Sequence, residues 1–221
     1  MDEKRKRYEN DTIAITFAPA RCIHAAECGR NLSAVFDAEK KPWIDPNGAA
    51  ADAIADTIHK CPSGALQYER KDGRPDEAPA GRNTVRAVKN GPVYVRGNLE
   101  ILNADGDLVH RDTRVSLCRC GDSKHKPFCD NTHIEEKFAA PAGMADRESA
   151  PGSASAPGSE PGALRMTLAL NGPILMSGPY AVIDDEGKVL FESEKGALCR
   201  CGKSSNKPFC DGAHKQGWTA D

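Results

Sequence analysis

CRCGDSKHKPFCDNTH, at residues 118–133, recurs as CRCGKSSNKPFCDGAH at residues 199–214. The longer segments 90–133 and 171–214 align without a gap at an offset of 81 residues. Each copy has the spacing Cys-x-Cys-x8-Cys-x3-His, which places the same side chains in both: Cys118, Cys120, Cys129 and His133, then Cys199, Cys201, Cys210 and His214. A set of metal-ligand side chains that repeats as a unit predicts two equivalent metal centres.

Composition limits what the rest of the chain can do. The 221 residues are 39% hydrophobic and 5% aromatic, which is little for large cores, and small folds with little core are often stabilised by metals. The net charge of −2 gives no broad basic surface, so we expect no nucleic-acid partner. No apolar stretch is long enough to cross a bilayer, so we expect no membrane partner.

The cysteine count argues against a disulfide framework. Nine cysteines is an odd number, and the N-terminal segment MDEKRKRYEN is charged where a signal peptide would be apolar. Disulfide-rich domains belong to secreted proteins. We therefore expect a soluble, cytoplasmic protein in a reducing compartment.

Two polar segments divide the chain. Residues 141–162 are rich in Pro, Gly, Ser and Ala, and residues 70–82 form a shorter polar stretch. Segments of this composition are typical of flexible tethers. We predict an N-terminal domain over 11–70, a first repeat over 84–138, a linker over 139–163 and a second repeat over 164–221.

Within each repeat, the residues before the ligands alternate like antiparallel strands separated by turns. The predicted strands are 93–96, 99–103 and 108–110 in the first repeat, and 173–177, 180–184 and 188–192 in the second. Asp130 and Asp211 are placed to cap a short helix after the ligand loop. The third cysteine and the histidine of each motif would then lie on one helical face.

Ligand type alone leaves the metal open, because three thiols and an imidazole hold either zinc or an iron-sulfur cluster. The full pattern C-x-C-x2-S-x3-P-x-C-D-x-x-H resembles the CDGSH iron-sulfur domain, also called the NEET family. The resemblance implies one 2Fe-2S cluster per repeat, with one iron on Cys118 and Cys120 and the other on Cys129 and His133. It also implies that the two repeats form one pseudo-two-fold unit with exchanged strands.

The first copy departs from that family at Asn131, where the second copy keeps Gly212. Asn is the non-glycine residue that best tolerates a positive φ, so we expect the turn to be preserved.

The single histidine of each motif predicts two properties. Imidazole gives less charge to iron than thiolate, so the reduction potential should lie between those of all-cysteine and two-histidine centres. Imidazole is also protonatable near pH 6.5, so acid should compete with iron and release the cluster. We expect release to be slower in His133→Cys and His214→Cys.

The N-terminal domain has a different cysteine pattern. Cys22 and Cys28 lie in RCIHAAECGR, and Cys61 begins CPSGAL. A helix is predicted over 46–60, beginning near Asp45, with strands over 13–17 and 65–68. Together with VFD at 35–37 and KPWI at 41–44, residues 12–68 resemble divergent single-cluster bacterial ferredoxins.

In that comparison the central ligand position is Ala25, which cannot bind iron. The resemblance implies a 3Fe-4S cluster on Cys22, Cys28 and Cys61, and the alternative is a 4Fe-4S cluster with His24 as fourth ligand. A zinc site, or a cluster-free domain whose thiols only pack, is the other alternative. His59, His110 and His125 fit no ligand pattern, and we expect them to be solvated.

The predicted fold is α+β, with a ferredoxin-like module followed by two β-rich repeats. Three clusters on one chain favour an electron-transfer relay with a redox partner protein. The alternative is a cluster donor to an apo iron-sulfur acceptor protein or a redox and pH sensor, and a zinc-dependent interaction module is a third class. Since no phosphate loop, dinucleotide fingerprint or nucleophile-base pair is present, we expect no enzyme activity. The chain is expected to be a monomer containing an intramolecular pseudo-dimer.

Overall fold

The computed structural model describes residues 3–142 and 162–220 and divides the chain into two compact units. The first unit covers residues 2–78, and the second covers residues 79–221. Most of the predicted linker, residues 143–161, lies outside the described residues. Both repeats therefore belong to the second unit.

The N-terminal unit contains a three-stranded antiparallel sheet in the order β1-β2-β3. Short helical segments lie between the second and third strands. The elements are β1 (Lys6–Glu9), β2 (Ile13–Phe17), a 3₁₀ turn (Pro19–Arg21), α1 (Glu27–Asn31), a 3₁₀ turn (Pro46–Gly48), α2 (Ala51–Ile58) and β3 (Leu66–Arg70). The strand predicted over 13–17 is confirmed, and the strand predicted over 65–68 begins one residue later and is longer.

The helix predicted over 46–60 is divided in two. Asp45 does cap the first part, because its carboxylate accepts a hydrogen bond from the Asn47 amide at 2.9 Å. The chain then becomes extended at Ala49 and Ala50 before α2 begins. The buried residues of α2 follow the helical period and pack on a core of sheet and loop residues: Ala51, Ile54, Ala55 and Ile58, with Ile13, Ile15, Val35, Phe36, Ile44 and Leu66.

The second unit is built on one six-stranded sheet. Its elements are β4 (Thr84–Ala87), β5 (Val93–Leu102), β6 (Leu108–Leu117), α3 (Thr132–Glu135), β7 (Leu164–Leu168), β8 (Ile174–Ile183), β9 (Val189–Leu198) and a 3₁₀ turn (Ala213–Lys215). The predicted hairpins are present, but their strands are longer. The strands predicted over 93–96 and 99–103 are one strand, β5, because the irregularity between Arg96 and Leu99 bends the strand without ending it. The strands predicted over 173–177 and 180–184 are likewise one strand, β8, with an irregularity between Ser177 and Tyr180.

The two repeats share this sheet through their first strands. β4 pairs antiparallel with β5 of its own repeat and parallel with β8 of the other. β7 does the same, antiparallel with β8 and parallel with β5. The register Thr84↔Ala181 recurs as Arg165↔Glu100, at the offset of the sequence repeat. One apolar core therefore lies under both repeats, with Val95, Leu99, Ile101, Met166, Ile174, Met176, Val182 and Leu198 among its members.

Asn83 joins the repeats where the exchanged strand begins. Its amide nitrogen donates to the carbonyl oxygens of Gly162 and Pro179, both at 2.8 Å, and its side-chain oxygen accepts from the Asn98 amide at 2.9 Å. Asn83 is 1% exposed. Gly97 is required beside it, because its φ is +135° and a Cβ atom there would overlap the Asn83 side chain.

The described chain is thus β-rich with few helices, and the helices α1 and α2 lie in the N-terminal unit, where the α+β prediction placed a ferredoxin-like module. In the described ranges, 3–142 and 162–220, no helix is long and apolar enough to cross a membrane.

Candidate metal centres

Each ligand loop begins where a long strand ends. β6 ends at Leu117 and β9 at Leu198, directly before the first cysteine of each motif. The Cys118 amide donates to the Pro127 carbonyl, and the Cys129 amide donates to the Ser116 carbonyl, both at 2.8 Å. The second loop has the corresponding bonds from Cys199 and Cys210, to the Pro208 and Ala197 carbonyls and also at 2.8 Å. The backbone therefore brings three cysteines together in each repeat.

The motif serine fixes the middle of each loop. The Ser123 hydroxyl donates to the Phe128 carbonyl at 2.7 Å and accepts from the His125 amide at 3.0 Å. The Ser204 hydroxyl forms the equivalent bonds, at 2.6 and 3.0 Å. Both serines are buried. A buried hydroxyl that satisfies two backbone groups explains why this position of the motif carries serine.

The motif aspartates organise the turn before the histidine. The Asp130 carboxylate accepts from the Lys124 amide at 2.8 Å and from the Thr132 amide at 3.1 Å. The Asp211 carboxylate accepts from the Ser205 and Ala213 amides in the same way, at 2.8 and 3.0 Å. The predicted capping differs in detail, because the residues at the N-cap itself are Asn131 and Gly212.

Both N-cap residues have the left-handed conformation that the sequence predicts. Asn131 has φ of +72°, and Gly212 has φ of +91°. Their amides donate to the cysteine two residues earlier, from Asn131 to Cys129 Sγ at 3.5 Å and from Gly212 to Cys210 Sγ at 3.3 Å. The replacement of glycine by Asn131 therefore preserves the turn.

The ligands of each motif are arranged as two close pairs. In the first repeat, Cys118 Sγ lies 3.6 Å from Cys120 Sγ, and Cys129 Sγ lies 3.4 Å from His133 Nδ1. The second repeat has the same pairs, with Cys199 Sγ and Cys201 Sγ at 3.8 Å and Cys210 Sγ and His214 Nδ1 at 3.3 Å. Among the described residues, no three His, Cys, Asp or Glu side chains are grouped to hold a single metal ion. Two pairs fit a group with two metal atoms.

Burial makes free thiolates costly in these loops. Five of the six motif cysteines are buried, and Cys210 is half-buried. Burial raises the pKa of Cys129 to about 11 and raises that of Cys199. Within the close pair, the hydrogen bond from Cys120 lowers the pKa of Cys118 to about 6 and raises that of Cys120. Thiols held mostly neutral by burial fit cationic metal, which displaces their protons and balances the thiolate charge.

The histidines form the outer edge of each site. His133 and His214 are partly exposed, whereas the cysteines at the other end are buried. Burial lowers the pKa of His133, nearby Arg119 lowers it further, and Asp130 acts in the opposite direction. Neutral imidazole is the form that binds metal.

All three N-terminal thiols line one cavity of about 680 Å³. Cys22 follows the first 3₁₀ turn, Cys28 lies in α1, and Cys61 follows α2, where its amide donates to the Ile58 carbonyl at 2.9 Å. His24 and Ala25 line the same cavity. Burial raises the pKa values of Cys22 and Cys28, and so does the nearby Cys61 thiol. The three predicted ligands and the alternative fourth ligand therefore line the same cavity.

Two histidines that we expected to be solvated have side-chain partners. His59 Nε2 lies 3.1 Å from the Tyr68 hydroxyl, and His110 Nε2 lies 3.0 Å from the buried Asp112 carboxylate. The expectation was wrong because it considered only ligand spacing. Tyr68 and Asp112 lie on strands, at positions that face these histidines only after folding.

Sequence reasoning also missed the arginines between the paired cysteines. Arg119 is 1% exposed, and Arg200 is 8% exposed. The sequence signal for a role of these residues is that both copies of the motif have arginine at this position. Their burial is a property of the fold and cannot be predicted from the motif.

Family models match three parts of the chain. The model described as "Divergent 4Fe-4S mono-cluster" matches residues 8–71. The model described as "Iron-binding zinc finger CDGSH type" matches residues 90–134 and 171–215. Proteins named "Uncharacterized protein YjdI", from Escherichia coli strains K12 and O157:H7, are each 34% identical over 71 residues, covering 32% of this chain and 93% of the relative. No solved structure gives a significant match.

Proposed function

This chain belongs to the divergent 4Fe-4S mono-cluster family through its N-terminal domain and to the CDGSH-type iron-binding family through its two repeats, and we propose that it is an iron-sulfur electron-transfer protein. We assign one 2Fe-2S cluster to each repeat and one cluster to the N-terminal domain. The proposed activity is the relay of single electrons to or from a partner protein, without enzymatic chemistry of its own.

The observation that carries this proposal is the arrangement of each ligand set as a Cys-Cys pair and a Cys-His pair. A single tetrahedral zinc ion needs all four ligands around one point. A 2Fe-2S cluster needs two ligands on each of two irons.

We further propose that the repeats form an intramolecular pseudo-two-fold unit. The parallel pairings of β4 with β8 and of β7 with β5 support this, because each recurs at the repeat offset. The ligand loops also meet, since a Cβ atom on Gly121 would lie 2.5 Å from the Cys201 carbonyl oxygen. Both 2Fe-2S sites would then lie close to the axis of one folded unit, as a monomer.

For the N-terminal domain, we propose a ferredoxin-like site in which Cys22, Cys28 and Cys61 hold one cluster. The three thiols lining one cavity support this assignment. The family description favours 4Fe-4S over the 3Fe-4S cluster implied by the missing ligand at Ala25. His24 lines the cavity and is the candidate fourth ligand.

Electron exchange at the repeats is proposed to occur through the histidine edge. When bound, each cluster supplies a site that takes up and returns one electron. The buried cysteine end shields this site from water, and the partly exposed His133 and His214 lie on the side that a redox partner can approach. Imidazole ligation is expected to raise the potential above that of an all-thiolate site.

The second candidate function is cluster transfer to an apo acceptor protein, or redox and pH sensing. Partial exposure of His133 and His214 favours this alternative, because a solvent-accessible imidazole ligand can be protonated and leave the metal. Reversible reduction with retention of the clusters supports the relay. Appearance of the clusters on an apo-ferredoxin acceptor supports transfer.

The first test is the content of iron, acid-labile sulfide and zinc in the anaerobically purified full chain. About seven or eight irons per chain with nearly matching sulfide is the expected result for two 2Fe-2S clusters and one 3Fe-4S or 4Fe-4S cluster. About two or three zinc ions without sulfide would overturn the proposal and leave a zinc-dependent interaction module.

A further inference from the structure

Ser63 carries a buried hydroxyl that lies between a ligand cysteine and a backbone amide. The residue is 3% exposed. Its Oγ accepts a hydrogen bond from the Ala65 amide at 3.3 Å and lies 3.7 Å from Cys61 Sγ. In the described part of the chain, these two groups are the hydrogen-bond partners of the hydroxyl. Because the hydroxyl accepts from the amide, its own proton is left to donate, and the sulfur is the acceptor within reach.

Metal binding decides which atom of the Ser63–Cys61 pair donates. Without metal, either the hydroxyl or the thiol can be the donor. A cysteine that binds metal loses its proton. Cys61 Sγ can then only accept, so the Ser63 hydroxyl must donate. The hydrogen bond becomes charge-assisted, which makes it stronger than a bond between two neutral groups.

The loop that carries Ser63 is held by two arginines. Arg21, which is 2% exposed, donates to the Ser63 carbonyl, and Arg5 donates to the carbonyls of the next two residues at 3.2 and 2.9 Å. Arg21 directly precedes Cys22, so its bond to Ser63 also connects two of the ligand segments. The backbone therefore holds the hydroxyl beside Cys61 without the help of metal, which is the arrangement that orients a ligand from outside the metal site.

We propose that Ser63 is a positioning residue that raises the reduction potential of the N-terminal cluster through a hydrogen bond from its hydroxyl to the Cys61 thiolate. The inference rests on the proposed iron-sulfur function. One electron from a reductant adds negative charge that the ligand sulfurs share, so a donor to Cys61 Sγ stabilises the reduced form more than the oxidised form. The hydroxyl keeps its proton, and no covalent bond forms or breaks. The role is the same for a 3Fe-4S and a 4Fe-4S cluster, because Cys61 is a ligand in both assignments.

Ser63→Ala in the full chain is the primary test. The potential is measured by a redox titration followed by paramagnetic resonance, and the N-terminal cluster is identified by the signal that Cys22→Ala loses. Its transition should move to lower potential. The equilibrium constant for its reduction should fall about tenfold, which is about 59 mV for one electron. The transitions of the two repeats are the internal reference and should not move.

Two further variants separate the hydrogen bond from the packing of the side chain. Ser63→Thr keeps the hydroxyl and should restore most of the potential. Ser33→Ala removes an exposed hydroxyl of the same domain and should leave every potential unchanged. Proton double resonance provides a measurement that does not depend on the potential. An exchangeable proton coupled to the N-terminal cluster in the wild type should be absent in Ser63→Ala. Ser63→Gly, which also lacks the hydroxyl, replaces Ser63→Ala in both measurements if that variant does not retain the cluster.

The outcomes distinguish this inference from the proposed function. An N-terminal potential that does not change in Ser63→Ala, or that falls equally in Ser63→Ala and Ser63→Thr, overturns the inference and leaves the proposed function intact. The same set of exchangeable protons in the wild type and in Ser63→Ala also overturns it. Absence of a titrating N-terminal cluster in the unmodified chain overturns both the inference and the function proposed for this domain.

Discussion

Gly202 packs against the carbonyl group of Cys120, so closely that a Cβ atom on Gly202 would overlap the carbonyl oxygen. The equivalent glycine, Gly121, makes the reciprocal approach to Cys201. Both glycines have positive φ, +74° and +96°. Each ligand loop is therefore shaped partly by the backbone of the other loop, and the two metal centres depend on one another for their geometry.

Gly202→Ala is expected to separate the loops and destabilise both centres. The added methyl has no space, and its φ is unfavourable for alanine, so we expect a loss of about 2–4 kcal/mol in unfolding free energy. The measurement is thermal unfolding together with iron retention. Gly187→Ala is the matched control, because Gly187 has φ of +83° and nothing within 4 Å of the added atom. If Gly187→Ala and Gly202→Ala lose stability equally, the positive φ of the glycine, and not contact between the two loops, causes the destabilisation.

Asn83→Ala should weaken the connection between the repeats. It removes the hydrogen bonds from the buried Asn83 side chain to the carbonyls of Gly162 and Pro179 and the bond it accepts from the Asn98 amide, which should cost about 2–3 kcal/mol in urea unfolding. Hydrogen exchange provides a local check, since the Asn98 amide loses its acceptor and should exchange faster. Asn83→Leu, which copies Leu164 at the equivalent position, should show the same loss. If the Asn83 variants unfold at the same urea concentration as the wild type, Asn83 does not stabilise the connection between the repeats.

Acid release of the first-repeat cluster should depend on His133. Burial lowers the pKa of this imidazole from 6.5, so the fold favours its neutral form. The folded protein therefore has its full stability above about pH 6.5, where His133 is neutral in both the folded and the unfolded chain. This stability is lost as the pH falls from about 6.5 through the lowered pKa of His133 in the folded protein. Competition by one proton weakens metal binding by up to about tenfold per pH unit.

His133→Cys should therefore lose cluster absorbance about tenfold more slowly than wild type at pH 6, with little difference at pH 8. His214→Cys is the matching variant for the second repeat. Equal rates in wild type and variants at pH 6 would show that histidine protonation does not trigger release.

Asp211 should hold the second ligand loop in shape. Hydrogen bonds from the Ser205 amide and hydroxyl, and from the Ala213 amide, lower the pKa of its carboxyl to about 2. The charged Asp211 carboxylate therefore adds to the free energy of unfolding above its ordinary pKa of 3.8. This stabilisation is lost as the pH falls from 3.8 toward about 2. At pH 7, Asp211→Ala should lose iron from the second repeat several-fold faster than wild type, because the loop amides lose a charged acceptor.

Asp211→Asn keeps one acceptor oxygen and should be intermediate. Asp185→Ala removes an exposed carboxylate that pairs with Arg86, and it should have no effect on iron retention. If Asp211→Ala and Asp185→Ala lose iron at the same rate, the hydrogen bonds to Asp211 do not contribute to iron retention.

His24→Ala tests the N-terminal cluster type. If His24 is the fourth ligand, the wild-type N-terminal domain should contain four irons, and the variant should lose about one iron per chain. Iron and sulfide analysis, with paramagnetic resonance of the oxidised protein, separates 4Fe-4S from 3Fe-4S. His59→Ala is the control, because His59 contacts Tyr68. Unchanged iron content in His24→Ala would exclude the imidazole as a ligand.

Local sequence pattern was sufficient to predict the ligand loops. Spacing alone identified Cys118, Cys120 and Cys129 as one set, and the backbone bonds of this loop, from Cys118 to Pro127 and from Cys129 to Ser116, stay within the motif and the residues just before it. The positive φ of Asn131 was also predictable, because it depends on the preference of that one residue. The strands of the two hairpins were located but shortened, since bulges such as that after Arg96 look like strand ends in an alternating pattern. Strands β1, β4 and β7 were not predicted.

Contacts between distant residues were not predictable in this way. Nothing in the sequence indicated that the Asn83 side chain would bond to Gly162 and Pro179, because these partners lie 79 and 96 residues further along the chain. The Asp112 partner of His110 was missed even though it is only two residues away, because alternation of strand side chains does not predict burial of a carboxylate.

By itself, therefore, the sequence determined that the chain carries two copies of one metal-binding loop and a third set of cysteines, because ligand spacing is a short-range property of the chain. Only the tertiary structure decided how the copies face each other. Parallel pairing of β4 with β8 and contact of Gly121 with Gly202 bring two loops 81 residues apart into one core. The burial of Arg119 and Arg200 is likewise a tertiary property, since burial depends on all neighbours in space.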